Sequence, residues 1–424
     1  MITLIKNGYV LDPSTNTEGI YDVLVEDDVI KQVAKNIEDK AHQVIDASGK
    51  YVMPGFIDLH VHLREPGFEY KETIATGSQA AAVGGYTTIC PMPNTKPAID
   101  NKCMIEYLKY KAAEEAAVNI VPIGAITIGQ AGNKLADIKA MANAGAMAVS
   151  EDGKSVMDIN LYVEGMRAAK EAGIPVFAHC EDKTLVKTGV MNAGKRAEEL
   201  GLEGISNAVE DVITARDILL AKETGVSLHL CHCSTEDSVR LVKMAKEMSL
   251  KVTGEVCPHH FTLCDEDIPC DDPNYKMNPP LRAAKDVEAL KVALRDGIMD
   301  VISTDHAPHS AEEKSGSMAQ SPFGIVGSET AFALTFTELV KGGYLTPMQM
   351  VEKMSYNPAK ILGIDKGSLA PGKIADLVIA DPNLEYAIDV NKFVSKGKNS
   401  PFHGRRVYGK VELTMVSGEV VYEA

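Results

Sequence analysis

The residues best suited to catalysis lie in the run 58–64, which reads DLHVHLR. This run follows the apolar segment 51–57, so we expect it at the carboxyl end of a buried strand. Because side chains two residues apart in a strand point to the same face, His60 and His62 should lie side by side. Paired imidazoles can bind a divalent ion such as zinc, and Arg64, which has the same parity, adds a fixed cation. The run therefore indicates a metal-activated water that acts on an anionic substrate.

An isolated pair of histidines is as consistent with a structural role as with a metal site, so other polar clusters are needed to decide between them. Four further clusters of residues that can bind a metal ion or a proton each follow a short apolar or β-branched run. They are 150–153 (SEDG), 177–180 (FAHC), 229–235 (HLCHCST) and 303–309 (STDHAPH). We therefore expect all of them at the carboxyl ends of strands. Five such clusters favour one shared catalytic centre.

The elements that would carry these clusters alternate along the chain as strand-like and helix-like runs. Eight strands separated by helices predict an α/β fold, a parallel (β/α)8 barrel of the TIM type, with its chemistry at the carboxyl ends of the strands. The predicted strands are 52–62, 86–91, 118–126, 146–150, 174–179, 226–232, 251–256 and 300–304. The predicted helices include 73–83, 104–117, 161–172, 209–223, 235–249 and 283–295.

The two ends of the chain lack this alternation and contain short strands and turns instead. The simplest packing pairs residues 1–52 with residues 366–424 in one small β-sandwich. That sandwich would lie beside a catalytic barrel formed by residues 53–365. The sequence thus predicts two domains, of which the smaller is built from both termini.

Composition argues against nucleic-acid binding and against a membrane protein. The formal net charge of −16 argues against a nucleic-acid surface, which would need a basic stripe. An anionic substrate would then be held by local cations rather than by the overall field. No apolar stretch approaches the roughly 18 residues of a membrane helix, and the amino terminus lacks a secretion signal. We expect a cytoplasmic protein that does not act at a membrane, with its eight cysteines reduced.

These motifs resemble those of the bacterial type I dihydroorotases, a family of the amidohydrolase superfamily, and the resemblance covers nearly the whole chain. The segment 58–66 (DLHVHLREP) is similar to the first signature of that family. The segment 305–309 (DHAPH), followed by Lys314, is similar to the second. The resemblance implies the reversible cyclisation of N-carbamoyl-L-aspartate to (S)-dihydroorotate with loss of water, the third step of pyrimidine biosynthesis.

The resemblance also implies two zinc ions per subunit, with a carboxylate that bridges them. The implied ligands are His60, His62 and Asp305 for one ion, His179 and His232 for the other, and Asp152 for both. Many relatives in the superfamily bridge with a carboxylated lysine, and this chain departs from that pattern although Lys154 lies close to Asp152. A hydroxide between the ions would attack the ring carbonyl, and Asp305 would act as the general acid and base.

Contacts to the substrate carboxylate and ring are implied in the same way. Arg64 offers a planar fork for a carboxylate. The other implied contacts are the side chains of Asn94, Asn278 and His309 and the backbone groups of Phe323 and Gly324. For the two asparagines, turn chemistry next to proline is an alternative explanation. His229, three residues before His232, should face the other way and be structural.

Two alternative functions stay open. A hydantoinase or allantoinase would use the same metals on a different ring, although Arg64, Asn94 and His309 favour a ring that bears a carboxylate. A dihydroorotase-like scaffold for aspartate transcarbamoylase would need no catalysis, but this chain retains all six implied ligands. From the family we expect a homodimer, with association with aspartate transcarbamoylase as an added role.

Overall fold

The computed structural model describes residues 1–424, in which strands and helices alternate over most of the chain. None of the helices combines the length and the apolar character that a membrane span requires. The strands are β1 (Ile2–Asp12), β2 (Thr17–Glu26), β3 (Val29–Ala34), β4 (Gln43–Asp46), β5 (Tyr51–Pro54), β6 (Phe56–Val61), β7 (Tyr86–Pro91), β8 (Asn119–Ile120), β9 (Ile123–Ala125), β10 (Ala148–Ser150), β11 (Val176–Ala178), β12 (Met191–Asn192), β13 (Gly204–Ile205), β14 (Leu228–Leu230), β15 (Val252–Val256), β16 (Val301–Ile302), β17 (Leu377–Ala387), β18 (Arg406–Val416) and β19 (Glu419–Glu423).

Helices connect most of these strands, and the six helices predicted from the sequence all form within a few residues of their expected bounds. The α-helices are α1 (Ile74–Val83), α2 (Lys102–Glu115), α3 (Ile138–Ala144), α4 (Ile159–Ala172), α5 (Lys183–Val186), α6 (Lys195–Leu200), α7 (Ala208–Thr224), α8 (Glu236–Glu247), α9 (Pro258–Thr262), α10 (Ala284–Arg295), α11 (Ala331–Thr335), α12 (Pro347–Val351) and α13 (Asn357–Leu362). Short 3-10 turns cover Ile128–Gln130, Asp265–Asp267, Pro273–Tyr275 and Val390–Lys392, and π-helical turns cover Phe336–Lys341 and Glu352–Tyr356.

Local sequence explains where these helices begin and end. The Asp158 side chain accepts hydrogen bonds from the first backbone N–H groups of α4, and the Thr235 side chain does the same for α8. Such caps satisfy donors that have no partner within the helix. At the other end of α4, Gly173 adopts φ 75, which a glycine tolerates without strain.

Both termini contribute to one sheet, in which the strands pair in the order β19-β18-β17-β5-β1-β2-β3, with β4 beside β1. The two ends of the chain meet where β5 pairs antiparallel with β17, with Val52 opposite Ile379. Aliphatic side chains from both ends, such as Ile5 and Leu377, are buried in one cluster. The shared sheet matches the prediction, whereas the second layer of a sandwich stays a prediction.

The site is carried by a second set of strands, all of them parallel. They pair in the orders β6-β7-β8 and β9-β10-β11-β14-β15-β16. β8 and β9 are two halves of the predicted strand 118–126, separated by Val121 and Pro122, because proline has no N–H for the ladder. A parallel bridge between Val61 and His306 brings the first strand beside the last. This order is the one that a closed ring of strands requires.

The first predicted strand, 52–62, is in fact two strands that belong to different sheets. β5 pairs with β1 and β17, whereas β6 pairs with β7. Gly55 lies between them, and a Cβ at this position would lie 2.2 Å from Thr87 Cγ2. The prediction of one strand was wrong because an unbroken apolar run carries no mark of a change of sheet. The boundary predicted between residues 52 and 53 therefore falls inside β5.

Candidate metal centre and substrate cavity

The predicted ligands of the first metal ion lie together at the ends of neighbouring strands. His60 is on β6, His62 follows that strand, and Asp305 follows β16. His62 Nε2 lies 3.0 Å from Asp305 Oδ1, and His60 Nε2 lies 3.5 Å from the same oxygen. All three side chains are buried. The fold thus brings into contact the three side chains that the family resemblance groups as ligands of one ion.

Asp152 lies between the two predicted sets of ligands. Its Oδ1 lies 3.2 Å from His60 Nε2, 3.6 Å from His179 Nδ1 and 3.8 Å from His232 Nε2. Its Oδ2 lies 3.7 Å from His62 Nε2. One carboxylate therefore contacts all four histidines, which is the position that a bridging ligand needs.

Lys154, the alternative source of a bridge, is directed away from this cluster. Gly153 turns the chain with φ 73 directly after Asp152. The Lys154 Nζ then donates a hydrogen bond to the carbonyl oxygen of Gln130 at 3.1 Å. The geometry accordingly favours Asp152 as the bridge.

Two of the candidate ligands and the neighbouring arginine have a left-handed backbone. The φ angles are 49 for Asp305, 35 for His232 and 63 for Arg64. Residues other than glycine seldom adopt this conformation, and it is concentrated at functional sites where the surrounding structure imposes it. Before Asp305, the Asp58 carboxylate accepts hydrogen bonds from Thr304 N–H and Oγ1 at 3.1 and 2.6 Å. Asp58 thus joins the first strand to the last, a role that the sequence analysis missed.

The cluster contains buried polar atoms that have no partner within the protein. These atoms are His60 Nε2, Asp152 Oδ1 and His232 Nδ1. Leaving a buried polar atom without a hydrogen bond lowers protein stability by about 1–3 kcal/mol, so these atoms indicate a bound ligand. The donor atoms of His60, His62 and Asp305 lie within 4.8 Å of one another, as do those of His60, Asp152 and His232. Imidazole and carboxylate donors in this arrangement fit divalent ions such as zinc.

In three of the histidines, the ring nitrogen that points away from the ligand cluster lies against a side-chain oxygen atom. This contact determines whether the nitrogen that faces the cluster has a free lone pair. An oxygen acceptor holds the hydrogen on the nearer nitrogen and leaves a lone pair on the farther one. The pairs are His60 Nδ1 with Glu255 Oε1 at 3.1 Å, His62 Nδ1 with Asn94 Oδ1 at 3.0 Å and His179 Nε2 with Glu181 Oε2 at 2.7 Å. Glu255 and Glu181 were missed from the sequence, although a glutamate inside the apolar strand 252–256 is itself an unusual signal.

Electrostatics in the cluster favour a cationic occupant. Burial alone would lower the pKa of His60, but the Asp152 carboxylate beside it raises that pKa well above its usual value. Burial alone would raise the pKa of Asp305, yet the hydrogen bond with His62 and the nearby imidazoles lower it below its usual range. Two buried carboxylates that stay ionised among imidazoles need positive charge for balance.

A cavity of about 170 Å³ opens onto this cluster. Five of the six residues predicted to contact the substrate line it, namely Arg64, Asn94, Asn278, Phe323 and Gly324. The sixth, His309, lies behind them, with its Nε2 3.3 Å from Arg64 Nη2. The predicted substrate residues therefore meet the predicted metal ligands in one place.

The two asparagines do more than shape their own turns. Asn94 Nδ2 donates to Asp152 Oδ2 at 2.9 Å, across 58 residues of sequence. Asn278 Nδ2 donates to Glu181 Oε2 at 2.7 Å. Because both side chains reach other strand ends, turn chemistry alone does not account for them.

His309 is held as a neutral ring at the edge of the cavity. Burial, with the cations of Arg64 and Lys71 nearby, lowers the pKa of His309 to about 3. Its Nε2 donates to the carbonyl oxygen of Phe323 at 2.8 Å, and its Nδ1 lies 3.3 Å from Lys71 Nζ. Lys71, which the sequence analysis did not single out, adds a second cation on this side of the cavity.

His229 has the structural role predicted for it. It points away from the ligand cluster, and its Nε2 lies 3.0 Å from Glu255 Oε2. Its Nδ1 lies 2.8 Å from Thr253 Oγ1. Both ring nitrogens are thus used by the protein, so His229 is not available as a metal ligand.

Comparison with known proteins finds dihydroorotases by sequence and a hydantoinase by structure. A family model described as Dihydro-orotase-like matches residues 49–238. A dihydroorotase of Acetivibrio thermocellus is 50% identical over 420 residues, which is 99% of this chain and 98% of that protein. A dihydroorotase of Ligilactobacillus salivarius is 50% identical over 427 residues, covering 100% of this chain and 99% of that one. Among solved structures, the L-hydantoinase (dihydropyrimidinase) of Arthrobacter aurescens aligns with a TM-score of 0.90 and 28% identity, over 99% of this chain and 96% of that one.

Proposed function

This chain belongs to the dihydroorotase family, and we propose that it catalyses the reversible cyclisation of N-carbamoyl-L-aspartate to (S)-dihydroorotate, a step of pyrimidine biosynthesis. The observation that carries the proposal is the meeting of the candidate metal ligands and substrate residues at one cavity. The dihydroorotases match at 50% identity, against 28% for a hydantoinase of similar fold. Sequence similarity therefore favours the carboxylate-bearing ring over a hydantoin.

We further propose that the parallel strands close into a (β/α)8 barrel within residues 53–365. The bridge between Val61 and His306 supports this closure. Residues 1–52 and 366–424 would form the accessory β-sandwich domain. In such a barrel the catalytic residues belong at the carboxyl ends of the strands, where the candidate ligands lie.

Two zinc ions are the proposed cofactors. When bound, they would polarise the ring carbonyl and activate a water molecule near neutral pH. The proposed ligands are His60, His62 and Asp305 for one ion, His179 and His232 for the other, and Asp152 for both. The hydrogen bonds to Glu255, Asn94 and Glu181 would hold the imidazoles of His60, His62 and His179, respectively, in the orientation that metal binding needs.

Asp305 is the proposed general acid and base. Its lowered pKa keeps it ionised at neutral pH, so its carboxylate can accept the proton of the attacking water. In ring opening it then donates that proton to the departing ring nitrogen. In ring closure the same transfers run in reverse, and one water molecule is released.

Arg64 is the proposed anchor of the substrate carboxylate. Its side chain lines the cavity, and its Nε donates to the carbonyl oxygen of Pro308 at 3.1 Å. That hydrogen bond helps to fix the plane of the guanidinium. A fixed planar fork suits a carboxylate better than a flexible ammonium does.

Arg64→Lys should therefore weaken the binding of both substrates. A charge-assisted hydrogen bond is worth about 1.5–3 kcal/mol, so kcat/KM should fall roughly 10- to 150-fold. Steady-state kinetics in each direction would measure the loss, and zinc content should not change. An unaltered kcat/KM would place the carboxylate elsewhere.

A second position near the cavity also permits a prediction. The Lys314 Nζ donates to the carbonyl oxygens of Pro273, Lys276 and Pro322 at 2.9, 3.2 and 2.8 Å. These bonds fasten the loop 308–324 to the loop after β15, and burial lowers the pKa of Lys314 to about 7.

Lys314→Met should free this loop and raise KM for dihydroorotate by roughly tenfold, with a smaller effect on kcat. The half-buried Lys373, which pairs with Asp365, is the matched control when it is substituted in the same way. An equal change in both variants would contradict the positioning role of Lys314.

A ring-opening assay tests the proposed function directly. Purified protein would be given (S)-dihydroorotate, a 5-substituted hydantoin and allantoin in parallel. We expect turnover of dihydroorotate, with the other two rings far slower. A hydantoin or allantoin as the better substrate would replace the proposed activity with a related one.

From family membership we also propose a homodimer, with association with aspartate transcarbamoylase as an added role. Sedimentation of the purified protein would give its oligomeric state. The same measurement with aspartate transcarbamoylase present would detect a complex. These assemblies are independent of the catalytic proposal.

A further inference from the structure

Glu255 is a fully buried carboxylate that lies against the candidate metal centre. It belongs to β15, whose neighbours in the sheet are β14 and β16. A carboxylate buried this deeply is tolerated only where hydrogen-bond donors surround it.

Both oxygens of Glu255 have donors, and one oxygen has two. Oε1 lies 3.1 Å from His60 Nδ1 and accepts the backbone N–H of His232 at 3.1 Å. Oε2 lies 3.0 Å from His229 Nε2. A single oxygen atom thus contacts one proposed ligand of each zinc ion.

These contacts determine which nitrogen of His60 carries the hydrogen. An ionised carboxylate only accepts hydrogen bonds, and Glu255 Oε1 already accepts the backbone N–H of His232, so His60 Nδ1 must donate. The lone pair of His60 is then on Nε2, the buried atom that has no partner in the protein. This atom faces Asp152 Oδ1 at 3.2 Å.

Glu255 Oε1 also holds His232, the proposed ligand of the other zinc ion, through the backbone of that residue. His232 adopts φ 35, a conformation that costs energy for any residue but glycine. The hydrogen bond from its N–H to Glu255 Oε1 holds that turn. As a result, the imidazole of His232 is directed toward His179 and Asp152.

We propose that Glu255 is a positioning residue that sets the zinc affinity of both metal sites through its Oε1. The other two oxygen acceptors in the centre differ from it, because Asn94 contacts only His62 and Glu181 contacts only His179 among the ligand histidines. Glu255 is thus placed to couple the two sites. This inference rests on the two-zinc centre of the proposed function.

Glu255→Gln tests the inference with little change in volume. An amide offers one acceptor oxygen and one NH2 donor, so it cannot accept from all three N–H groups. Loss of such an outer partner weakens metal binding by about 10- to 100-fold, and we expect that loss at both sites. Competition between the zinc-loaded enzyme and a chromophoric chelator would measure it. His229→Gln, which changes the partner of Oε2 and of Thr253 but none of the contacts of Oε1, is the matched control and should bind zinc like the parent.

A second readout separates positioning from a merely structural role. In zinc-loaded protein, 1H–15N NMR should find a strongly downfield Nδ1–H of His60 in the parent, and that shift should be reduced or lost in Glu255→Gln. If that variant does not fold, Glu255→Asp, whose shorter side chain withdraws from His60, serves the same measurements.

Parental zinc affinity at either site would overturn the inference, even if the metal-free variant melted at a lower temperature. Parent protein that binds no zinc would instead overturn the proposed metal centre itself. Because the first outcome concerns the variant and the second the parent, the two failures are distinguishable.

Discussion

Asp152→Ala should release both zinc ions and abolish nearly all activity. Its carboxylate lies within 3.8 Å of all four candidate histidine ligands, so no other side chain can replace it. Loss of the metals removes several kcal/mol of transition-state stabilisation, which corresponds to a fall in kcat of roughly 10³-fold or more. Elemental analysis and ring-opening kinetics on the same sample would measure both effects.

Lys154→Ala is the matched control for this experiment. Lys154 is two residues away, but its Nζ is bonded to the carbonyl oxygen of Gln130. We expect this variant to keep its zinc and most of its activity. Reconstitution of metal-free parent enzyme should likewise not depend on bicarbonate, because no carbamate has to form. Bicarbonate-dependent recovery, or the added mass of a carbamate on Lys154, would reassign the bridge.

Asp305→Asn should lower kcat by roughly 10²- to 10⁴-fold, the range for loss of a general acid and base. The amide keeps the shape of the side chain but can neither accept nor carry the proton. In the parent, burial alone would raise the pKa of Asp305, but the hydrogen bond with His62 and the nearby imidazoles hold it below its usual range, so the basic form persists at neutral pH and is lost only as the pH falls far into the acid range. The pH profile of kcat for ring opening should therefore show no acidic limb from Asp305 at mildly acid pH.

Asp300→Asn is the matched control, because it removes the same charge beside the same strand. Asp300 precedes β16 at the opposite end of the strand, where it pairs with Lys246 at 2.7 Å. Its substitution should leave kcat close to that of the parent. A near-parental kcat for Asp305→Asn would assign the proton transfer to another group.

Local patterns predicted where the polar clusters lie, because each one follows a strand, whereas the individual ligands were implied by the family resemblance. His60 and His62 share a face by the period of two, and Asp152 follows the end of β10 by two residues, directly before Gly153. The same alternation gave the parallel pairing of the strands from β6 to β16. Periodicity and turn residues are local, so one sequence is enough to reveal them.

Contacts between distant segments could not be predicted in this way. Glu255 meets His60 across 195 residues, and Asp58 meets Thr304 across 246. The local context of each carboxylate does not reveal its partner, which only the fold supplies. The change of sheet at Gly55 was missed for a related reason, because both sides of it are equally apolar.

The pairing of β5 has a consequence for how the protein is made. β5 lies directly before β6, yet one of its two neighbours, β17, is among the last segments that the ribosome releases. Until then a nascent chain holds every catalytic residue but presents β5 as an open strand edge, which invites pairing with other chains. Early termination or proteolysis before Leu377 would leave the same edge exposed. By pairing with β5, β17 thus covers an edge that would otherwise favour pairing with other chains.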